Sequence, residues 1–488
     1  MVGIKGAGMA GLAQILKGLG YGVQGSDTRE KFYTDAILKR LRIPVVERFS
    51  PKNIRDADLV IASNAYIQGT GNPSTQLRAS RDRGSGYSEV REARRRKIPV
   101  LSYPEAVGEL FNTPFGIAVA GTHGKSTTAA MISVLLEKLG ADPTALIGAE
   151  VLNWHSNARI SRPTNYQLPT TNYFVLEADE YKNAFLHYLP NMIVLTNVEW
   201  DHPDVFPNLA KYAWAFKKFM HNLKQKGTII VSRDNNIAWR VAQQKKNNII
   251  SFGRHAHSTV RIKDVVVRPA GTTCSVFFKK KRLGRVTLTL WGEHQAHNAA
   301  AAIACGLALG FPFPRIKKAL AAFQGTRRRF ELLKAQNYAD YTQTNADSPR
   351  KSALSPRESA VIIDDYAHHP TEIRVTIETA RKAFPGRPIH VLFQPHTFSR
   401  TKALFGNFLK ALKTADAVYL LSTYGSARER KGKVGSEALA KALGAPYFKN
   451  HAQAIAALRK TLPARAVFLA LGAGDQRRVA EAVRTVVL

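Results

Sequence analysis

A glycine-rich turn followed by lysine and serine is the part of the sequence best suited to phosphate chemistry. It occupies residues 120–129, AGTHGKSTTA, between a predicted buried strand at 115–120 and a predicted helix. Such a turn points backbone N–H groups and a helix N-terminus at phosphate oxygens. The Lys125 ammonium is then expected to reach the β- and γ-phosphates of a nucleotide, and the Ser126 hydroxyl to bind Mg²⁺. The turn is shorter than a general P-loop, because Val119 stands where the first glycine would be.

Two polar side chains follow the next two predicted strands, and both are candidates for binding a metal ion. Glu177 follows the strand predicted at 173–176, and His202 follows the one at 192–196. Ligands bind at the carboxyl ends of the strands in open α/β sheets. Together with Ser126, these side chains would hold two Mg²⁺ ions, although histidine is an unusual Mg²⁺ ligand. Taken alone, each is more often an ordinary surface or capping residue.

A second glycine-rich turn opens the chain at residues 3–11, GIKGAGMAG. It is similar to a dinucleotide-binding fingerprint, and Asp27 lies near the expected ribose-binding position. A lone turn of this kind is weak evidence, so an NAD site stays open at this point. The candidate residues of the site are Lys5, Gly6, Gly8, Met9, Asp27, Ser63 and Asn64.

The GTHGKST turn resembles that of the Mur ligases and their folate-linked relatives more than a general P-loop. Further strings match the same family: EADEY, TNVEWDHPD, GEHQAHN, GTRRRF and GAGD. The strings DDYAHHPTE (364–372) and FQPHTFSRT (393–401) resemble the branch that adds L-alanine to UDP-N-acetylmuramate. The resemblance covers essentially all of the chain except three predicted loops, at 68–86, 153–171 and 336–358.

The resemblance implies an ATP-dependent ligase that uses Mg²⁺ and forms an acyl phosphate on its substrate carboxylate before an amine attacks. It implies catalytic roles for Lys125, Glu177, His202 and His368. The first glycine-rich turn would then hold the diphosphate of a UDP-sugar, with Asp27 near the uridine. The general base stays open between His202 and His368.

The resemblance also assigns residues to ATP and to the amino acid. The ATP-binding residues would be Gly121, Thr122, His123, Gly124, Lys125, Ser126, Thr127, Asn298, Arg329, Asp365 and Tyr366. His396 and Arg400 are the candidates for the incoming amino acid, since a guanidinium pairs well with a carboxylate. Without the resemblance, Asn298 would be the N-cap of a helix at 299–309. Residues 327–329 would be a solvated charge run.

Strands alternating with helices predict an α/β fold with parallel sheets. A length of 488 residues fits about three domains. We expect a Rossmann-like UDP-sugar domain at 1–112 and a central P-loop-type ATPase domain with a parallel sheet at 113–326. A Rossmann-like C-terminal domain that binds amino acid and nucleotide is expected at 327–488. The polar stretch 336–358 is expected to be a disordered insertion.

Composition limits the class of protein. The chain is 45% hydrophobic and 22% charged, with two cysteines in apolar surroundings, so reduced buried thiols are expected. No apolar run approaches the roughly 20 residues of a membrane span, and no export signal is visible. These features predict a cytoplasmic protein without membrane insertion. We expect a monomer or a homodimer, a choice that the composition does not decide.

A formal net charge of +35 raises the question of nucleic-acid binding. The densest basic runs, at 91–97 and 279–285, contain no interleaved aromatic residues, so no specific nucleic acid is expected as a partner. Two alternative functions remain. One is a murein-recycling ligase that attaches a tripeptide to the same UDP-sugar, and the other is a nucleic-acid-stimulated P-loop ATPase.

Overall fold

A computed structural model describes residues 1–54, 56–67, 87–161, 173–244, 248–333, 360–425, 429 and 432–484. The fold is α/β, as predicted, and the chain forms two compact units. The first contains Met1–Val198, Trp214–Ser251 and Ala301–Ala322, and the second contains Glu199–Ala213, Phe252–Ala300 and Phe323–Leu488. The predicted loops at 68–86 and 336–358 lie outside the described residues, and the predicted domain boundaries stay predictions. No helix among the described residues is long and apolar enough to cross a membrane.

The first unit begins with short parallel strand pairs around the first glycine-rich turn. Its elements are α1 (Ala7–Gly18), β1 (Gly25–Ser26), α2 (Thr34–Arg40), β2 (Val45–Val46), β3 (Val60–Ala62), α3 (Tyr87–Arg95), β4 (Val100–Ser102) and α4 (Tyr103–Phe111). Strand β1 pairs with β2, and β3 with β4. Before α1, Val2 forms single parallel bridges with Ala62 and Ser26, and the chain then turns at Gly3 (φ +79°). The Gly3 backbone conformation is one that residues with a side chain rarely adopt.

A mixed sheet forms the core of the first unit. Its elements are β5 (Phe115–Ala120), α5 (Lys125–Lys138), β6 (Thr144–Val151), β7 (Ser156–Arg159), β8 (Tyr173–Glu177), β9 (Met192–Leu195), α6 (Leu209–His221), β10 (Thr228–Ser232) and α7 (Asn236–Ala242). The strand order is β7-β6-β8-β5-β9-β10. Five strands are parallel, as expected, but β7 runs antiparallel to β6. The prediction of a loop at 153–171 is therefore wrong for β7.

The second unit contains three antiparallel strands that were not predicted from the sequence. The elements of the chain from 248 to 321 are β11 (Asn248–Gly253), β12 (Val260–Arg268), β13 (Gly271–Phe278), β14 (Lys281–Leu288), α8 (Glu293–Ala308) and α9 (Phe313–Ala321). Of these, α9 belongs to the first unit, and β11 and α8 are divided between the two units. Strands β12, β13 and β14 are consecutive antiparallel neighbours, so the central sheet is mixed rather than parallel. Asn298 lies inside α8, which begins at Glu293, so its reading as an N-cap is wrong.

A six-stranded sheet completes the second unit. Its elements are β15 (Glu331–Leu332), β16 (Val361–Asp365), α10 (Pro370–Ala383), β17 (Ile389–Gln394), α11 (Phe398–Ala403), α12 (Phe405–Leu412), β18 (Ala417–Leu421), α13 (Ser436–Leu443), β19 (Tyr447–Phe448), α14 (His451–Thr461), β20 (Val467–Gly472) and α15 (Arg477–Arg484). The order is β15-β16-β20-β17-β18-β19, and only β15 is antiparallel to its neighbour. Alternate residues of each central strand enter separate apolar clusters, with Ile363 in one and Ile362 in the other. Both faces of the sheet are therefore buried, as parallel sheets require.

Candidate active site

The phosphate-binding turn of the first unit connects β5 to α5. Its glycines adopt positive φ, +136° at Gly121 and +80° at Gly124. Asn197, which follows β9, holds the turn from one side. Its backbone oxygen accepts from the Thr122 N–H (3.0 Å), and its side-chain oxygen accepts from the His123 N–H (2.9 Å). Asn197 therefore holds the predicted turn in place, although it was not among the predicted site residues.

The Lys125 ammonium lies back across the turn instead of extending into solvent. It donates to the backbone oxygens of Gly121 (2.6 Å) and Thr122 (3.2 Å), and it lies 2.9 Å from the Glu180 carboxylate. Burial alone would lower the pKa of Lys125, but the Glu180 carboxylate raises it above its ordinary value. The side chain is therefore a fixed cation. Glu180 was not among the predicted site residues, although it stands three positions after Glu177 in the EADEY string.

Ser126 and Glu177, two of the predicted Mg²⁺ ligands, are in direct contact. The Ser126 hydroxyl donates to Glu177 Oε1 at 2.8 Å, and the Gly148 N–H donates to Glu177 Oε2 at 2.6 Å. Hydroxyl and carboxylate oxygens are the ligands that Mg²⁺ prefers, so this pair fits the ion. The third predicted ligand, His202, belongs to the second unit. Thr127 is buried in the first turn of α5.

The glycine-rich turn at the start of the chain is tied to Asp27. The carboxylate accepts from the backbone N–H groups of Lys5 and Thr28, both at 2.7 Å. Burial raises the pKa of Asp27 above its usual value. Gly8 is needed for space, because a Cβ there would lie 2.7 Å from the Tyr103 ring. The Gly6 carbonyl accepts from the Ala10 N–H at 2.8 Å, which begins the hydrogen bonding of α1.

Lys5, a predicted residue of the UDP-sugar site, is buried and bound to carboxylates of the protein itself. Only 1% of its side chain is exposed, and its ammonium lies 2.8 Å from Glu47 and 3.2 Å from Asp35. It also donates to the backbone oxygens of Thr28 (3.0 Å) and Glu30 (3.1 Å). The Lys5 side chain thus joins the segment after Asp27 to the glycine-rich turn.

The other predicted residues of this turn differ in exposure. Met9 is buried inside α1, whereas Ser63 and Asn64 are partly exposed just after β3. The Ser63 hydroxyl accepts from the Ala65 N–H at 3.3 Å.

A buried amide network fixes α1 against β7 within the first unit. The Asn157 amide donates to the Ala7 backbone oxygen (2.6 Å), and the Gln14 amide donates to Asn157 Oδ1 (2.9 Å). The Ser156 hydroxyl donates to Gln14 Oε1 at 2.7 Å. Because Ala7 is the first residue of α1, the network helps to position the helix start that follows the glycine-rich turn.

In the second unit, the carboxyl end of β16 carries Asp365 and Tyr366. Asp365 accepts from the Thr376 hydroxyl (2.8 Å) and the Ala367 N–H (3.2 Å), and burial raises its pKa to about 6. The guanidinium carbons of Arg328 and Arg329 lie 5.2 Å and 5.1 Å from the centre of the Tyr366 ring. Both arginines therefore contact an aromatic ring. This contact argues against a charge run that is simply solvated.

Three residues predicted for the reacting centre and the amino acid lie together in the second unit. The rings of His368 and His396 are 6.2 Å apart, and Arg400 Nη1 lies 3.4 Å from His396 Nδ1. His368 Nδ1 is 3.0 Å from the Tyr366 backbone oxygen. Burial lowers the pKa of His368 below its ordinary value, which favours the neutral ring.

Asp201 links two predicted site residues and was not predicted itself. Its carboxylate accepts from Arg400 Nε at 2.8 Å and from the His202 N–H at 2.7 Å. Burial would raise the pKa of Asp201, but the Arg400 guanidinium holds it well below its usual range. His202 has φ +54°, a backbone conformation that is uncommon for a residue with a side chain. Asn298 is also in this unit, buried in α8, with its amide 3.5 Å from Gln295 Oε1.

Models of one protein family match three successive parts of the chain. They are described as Mur ligase family, catalytic domain (residues 1–113), Mur ligase middle domain (119–306) and Mur ligase, glutamate ligase domain (352–474). A protein of Desulfitobacterium hafniense is 36% identical over 99% of this chain and 98% of its own length. One of Aquifex aeolicus is 34% identical over 97% and 94%. Both are named UDP-N-acetylmuramate–L-alanine ligase.

Solved structures agree with these relationships. The UDP-N-acetylmuramate-alanine ligase of Thermotoga maritima superimposes with a TM-score of 0.74 at 26% identity, over 99% of this chain and 97% of that one. The UDP-N-acetylmuramate:L-alanyl-gamma-D-glutamyl-meso-diaminopimelate ligase of Neisseria meningitides gives 0.57 at 28%, over 67% and 98%. The resemblance inferred from the motifs is therefore confirmed, and this chain belongs to the Mur ligase family.

Proposed function

We propose that this chain joins L-alanine to the lactyl carboxylate of UDP-N-acetylmuramate, with ATP as the source of energy. The observation that carries the proposal is the similarity to relatives of that name over almost the entire chain, at 36% and 34% identity. A tripeptide ligase is the second candidate, because the solved Neisseria enzyme is 28% identical. The reaction requires ATP, so we expect it to take place in the cytoplasm.

The chemistry would proceed in two steps. A carboxylate oxygen of the sugar nucleotide attacks the γ-phosphorus of ATP, and ADP leaves. The amine of L-alanine then attacks the acyl carbon of the acyl phosphate, loses a proton and displaces phosphate. The substrate carboxylate is itself the nucleophile, so no nucleophilic side chain is required. Catalysis would come from positioning and from charge neutralisation.

The first unit would supply the ATP phosphate site. The Lys125 ammonium and the N–H groups of the turn would neutralise charge on the transferring phosphoryl group. Ser126 and Glu177 would hold Mg²⁺, which would offset negative charge on the phosphates, and His202 stays a predicted further ligand. The ammonium of Lys125 would exchange its contact with Glu180 for phosphate oxygens.

The UDP-sugar would bind at the first glycine-rich turn. Because the Lys5 ammonium is already bound to two carboxylates, the diphosphate would be held mainly by backbone N–H groups at Gly8 and the start of α1. Lys5 would act by positioning the segment beside Asp27.

The second unit would supply the amino-acid site and the base. Arg400 would pair with the carboxylate of L-alanine, beside His396. His368 is the favoured base, because its Nδ1 faces a backbone oxygen that can only accept a hydrogen bond. The ring proton would then reside on Nδ1, which leaves Nε2 free to take a proton from the amine.

An isotope experiment tests both the product and the intermediate. UDP-N-acetylmuramate labelled with ¹⁸O in its lactyl carboxylate would be incubated with the chain, Mg-ATP and L-alanine. We expect an alanyl product and one ¹⁸O atom transferred to phosphate, both lost in Lys125→Ala. An alanyl product without label in the phosphate would contradict the acyl phosphate, and no product would contradict the ligase.

A further inference from the structure

The three antiparallel strands β12, β13 and β14 are strongly basic. Between Val260 and Leu288 the sequence has eight lysines and arginines and a single acidic residue, Asp264. The turn that joins β13 to β14 is Lys279–Lys280, and β14 begins with Lys281. None of the proposed ligase chemistry uses this part of the chain.

The register of these strands places cations next to the aromatic ring of Phe277. Arg261, Phe277 and Arg282 are direct cross-strand partners and form one row across the three strands. Lys263, Ser275 and Arg285 form the next row. Direct partners in antiparallel strands, and residues two apart on one strand, point to the same face. We call this set of six residues the basic face.

The opposite face of the three strands is apolar and buried. It carries Ile262, Val276 and Val286, each 1% exposed or less. On the basic face, Lys263, Arg282 and Arg285 are exposed. Arg261 and Phe277 are partly exposed, and the small Ser275 side chain between the cations is buried. The face that does not enter the core is therefore an accessible array of positive charge.

The cations of the basic face lack acidic partners within the described part of the chain. Lys263 Nζ lies 5.3 Å from the centre of the Phe277 ring, and Arg261 donates to the Arg254 backbone oxygen at 3.2 Å. No carboxylate there forms an ion pair with Lys263, Arg282 or Arg285. Their charges are consequently available to an anionic partner.

We propose that the basic face binds single-stranded nucleic acid without sequence preference. A base would stack on the Phe277 ring, displacing the flexible Lys263 side chain, and Arg261, Arg282 and Arg285 would contact the phosphates. Stacking on an exposed aromatic ring with flanking cations is the mode by which sheet surfaces bind single strands. The run 279–285 itself contains no aromatic residue. Phe277 and Arg261 join its cations only through strand register.

An anionic membrane is the less suitable partner. Stable attachment to a bilayer surface usually adds inserted apolar side chains to the electrostatic attraction. The basic face has one ring, which lies beneath a lysine, and the nearest turn contains two lysines.

Fluorescence anisotropy with labelled oligo(U) RNA and oligo(dT) DNA would test the proposal. The variant Arg261→Gln/Arg282→Gln/Arg285→Gln would be compared with a control, Lys138→Gln/Lys410→Gln/Lys441→Gln, which removes the same charge from exposed sites elsewhere. We expect the first variant to weaken binding at least tenfold and to lower the salt slope by about 2, at about 0.7 per lost phosphate contact. The control should bind nearly as well as the unmodified chain.

A second substitution separates stacking from charge. Phe277→Leu should weaken binding about tenfold without changing the salt slope, because the stacking contact is lost and no charge is removed. Thermal unfolding of each variant would show that the fold is kept. Equal losses in the two triple variants, no binding at physiological salt, or binding only to anionic phospholipid vesicles would each overturn the proposal.

Discussion

Arg400 and Asp201 form a buried ion pair with two points of contact. Arg400 Nε lies 2.8 Å from Asp201 Oδ1, and Arg400 Nη2 lies 3.3 Å from Asp201 Oδ2. The two side chains are 5% and 6% exposed. Asp201 therefore occupies one edge of the guanidinium, and Nη1, near His396, is the group left for a substrate carboxylate. Arg400 is held in one orientation before any amino acid binds.

We predict that Asp201→Asn destabilises the protein by about 3 kcal/mol, because it leaves a buried guanidinium without its counter-charge. The KM for L-alanine should rise more than kcat falls, since Arg400 loses its orientation. Urea unfolding and steady-state kinetics would measure the two effects.

The double variant Asp201→Asn/Arg400→Gln provides the control for stability. It should be less destabilised than the sum of the two single variants, because neither charge is then left alone. Strictly additive losses would show that the pair does not stabilise the fold.

Lys125 and Glu180 give a second prediction. Lys125→Met should lower kcat/KM about 10³-fold, since charge neutralisation on the phosphoryl group is lost.

Glu180→Gln should tighten binding of metal-free ATP about fivefold, because a carboxylate near the phosphates is removed. Equilibrium binding would be compared with that of Glu109→Gln, which changes an exposed glutamate of α4. Weaker ATP binding in Glu180→Gln would contradict the proposal that Glu180 and the ATP phosphates compete for the Lys125 ammonium.

Asp365 predicts a dependence of stability on pH. Its pKa rises from 3.8 to about 6 on folding because of burial, so the folded state favours the protonated form. The stability that this group contributes is complete below about pH 4 and is lost as the pH rises through about 6. Relative to Asp365→Asn, the unmodified protein should lose about 3 kcal/mol of unfolding free energy over that interval. Parallel pH profiles in urea unfolding would argue against a raised pKa.

The buried position of Lys5 leads to a prediction about the KM for the sugar nucleotide. Lys5→Met should raise the KM for UDP-N-acetylmuramate about tenfold with little change in kcat, because the segment beside Asp27 loses its anchor. Lys31→Met is the matched control, since Lys31 also contacts Glu47 (3.0 Å) but is 74% exposed. Equal effects of both substitutions would show that Lys5 acts only through the charge of Glu47.

The features that local sequence predicted are those that local forces determine. The apolar run 115–120 forms the predicted strand, and the glycines after it form the predicted turn. Strand β7 was missed because Ser156–Arg159 contains little apolar character and is buried through the amide network with α1.

Contacts between residues far apart in the sequence could not be predicted from local sequence patterns. Asp201 and Arg400 are 199 positions apart, and each alone is compatible with an exposed charge. Lys5 was predicted as a residue of the UDP-sugar site. Its carboxylate partners, Asp35 and Glu47, come from later segments, so these contacts could not be predicted from the turn alone.

The central claim is tested most directly by ADP release from Mg-ATP and UDP-N-acetylmuramate, with L-alanine or the L-Ala-γ-D-Glu-containing tripeptide added separately. We expect turnover that requires L-alanine. Turnover with the tripeptide alone would instead identify a recycling ligase. ATP hydrolysis that is indifferent to both amines would contradict a ligase of either kind.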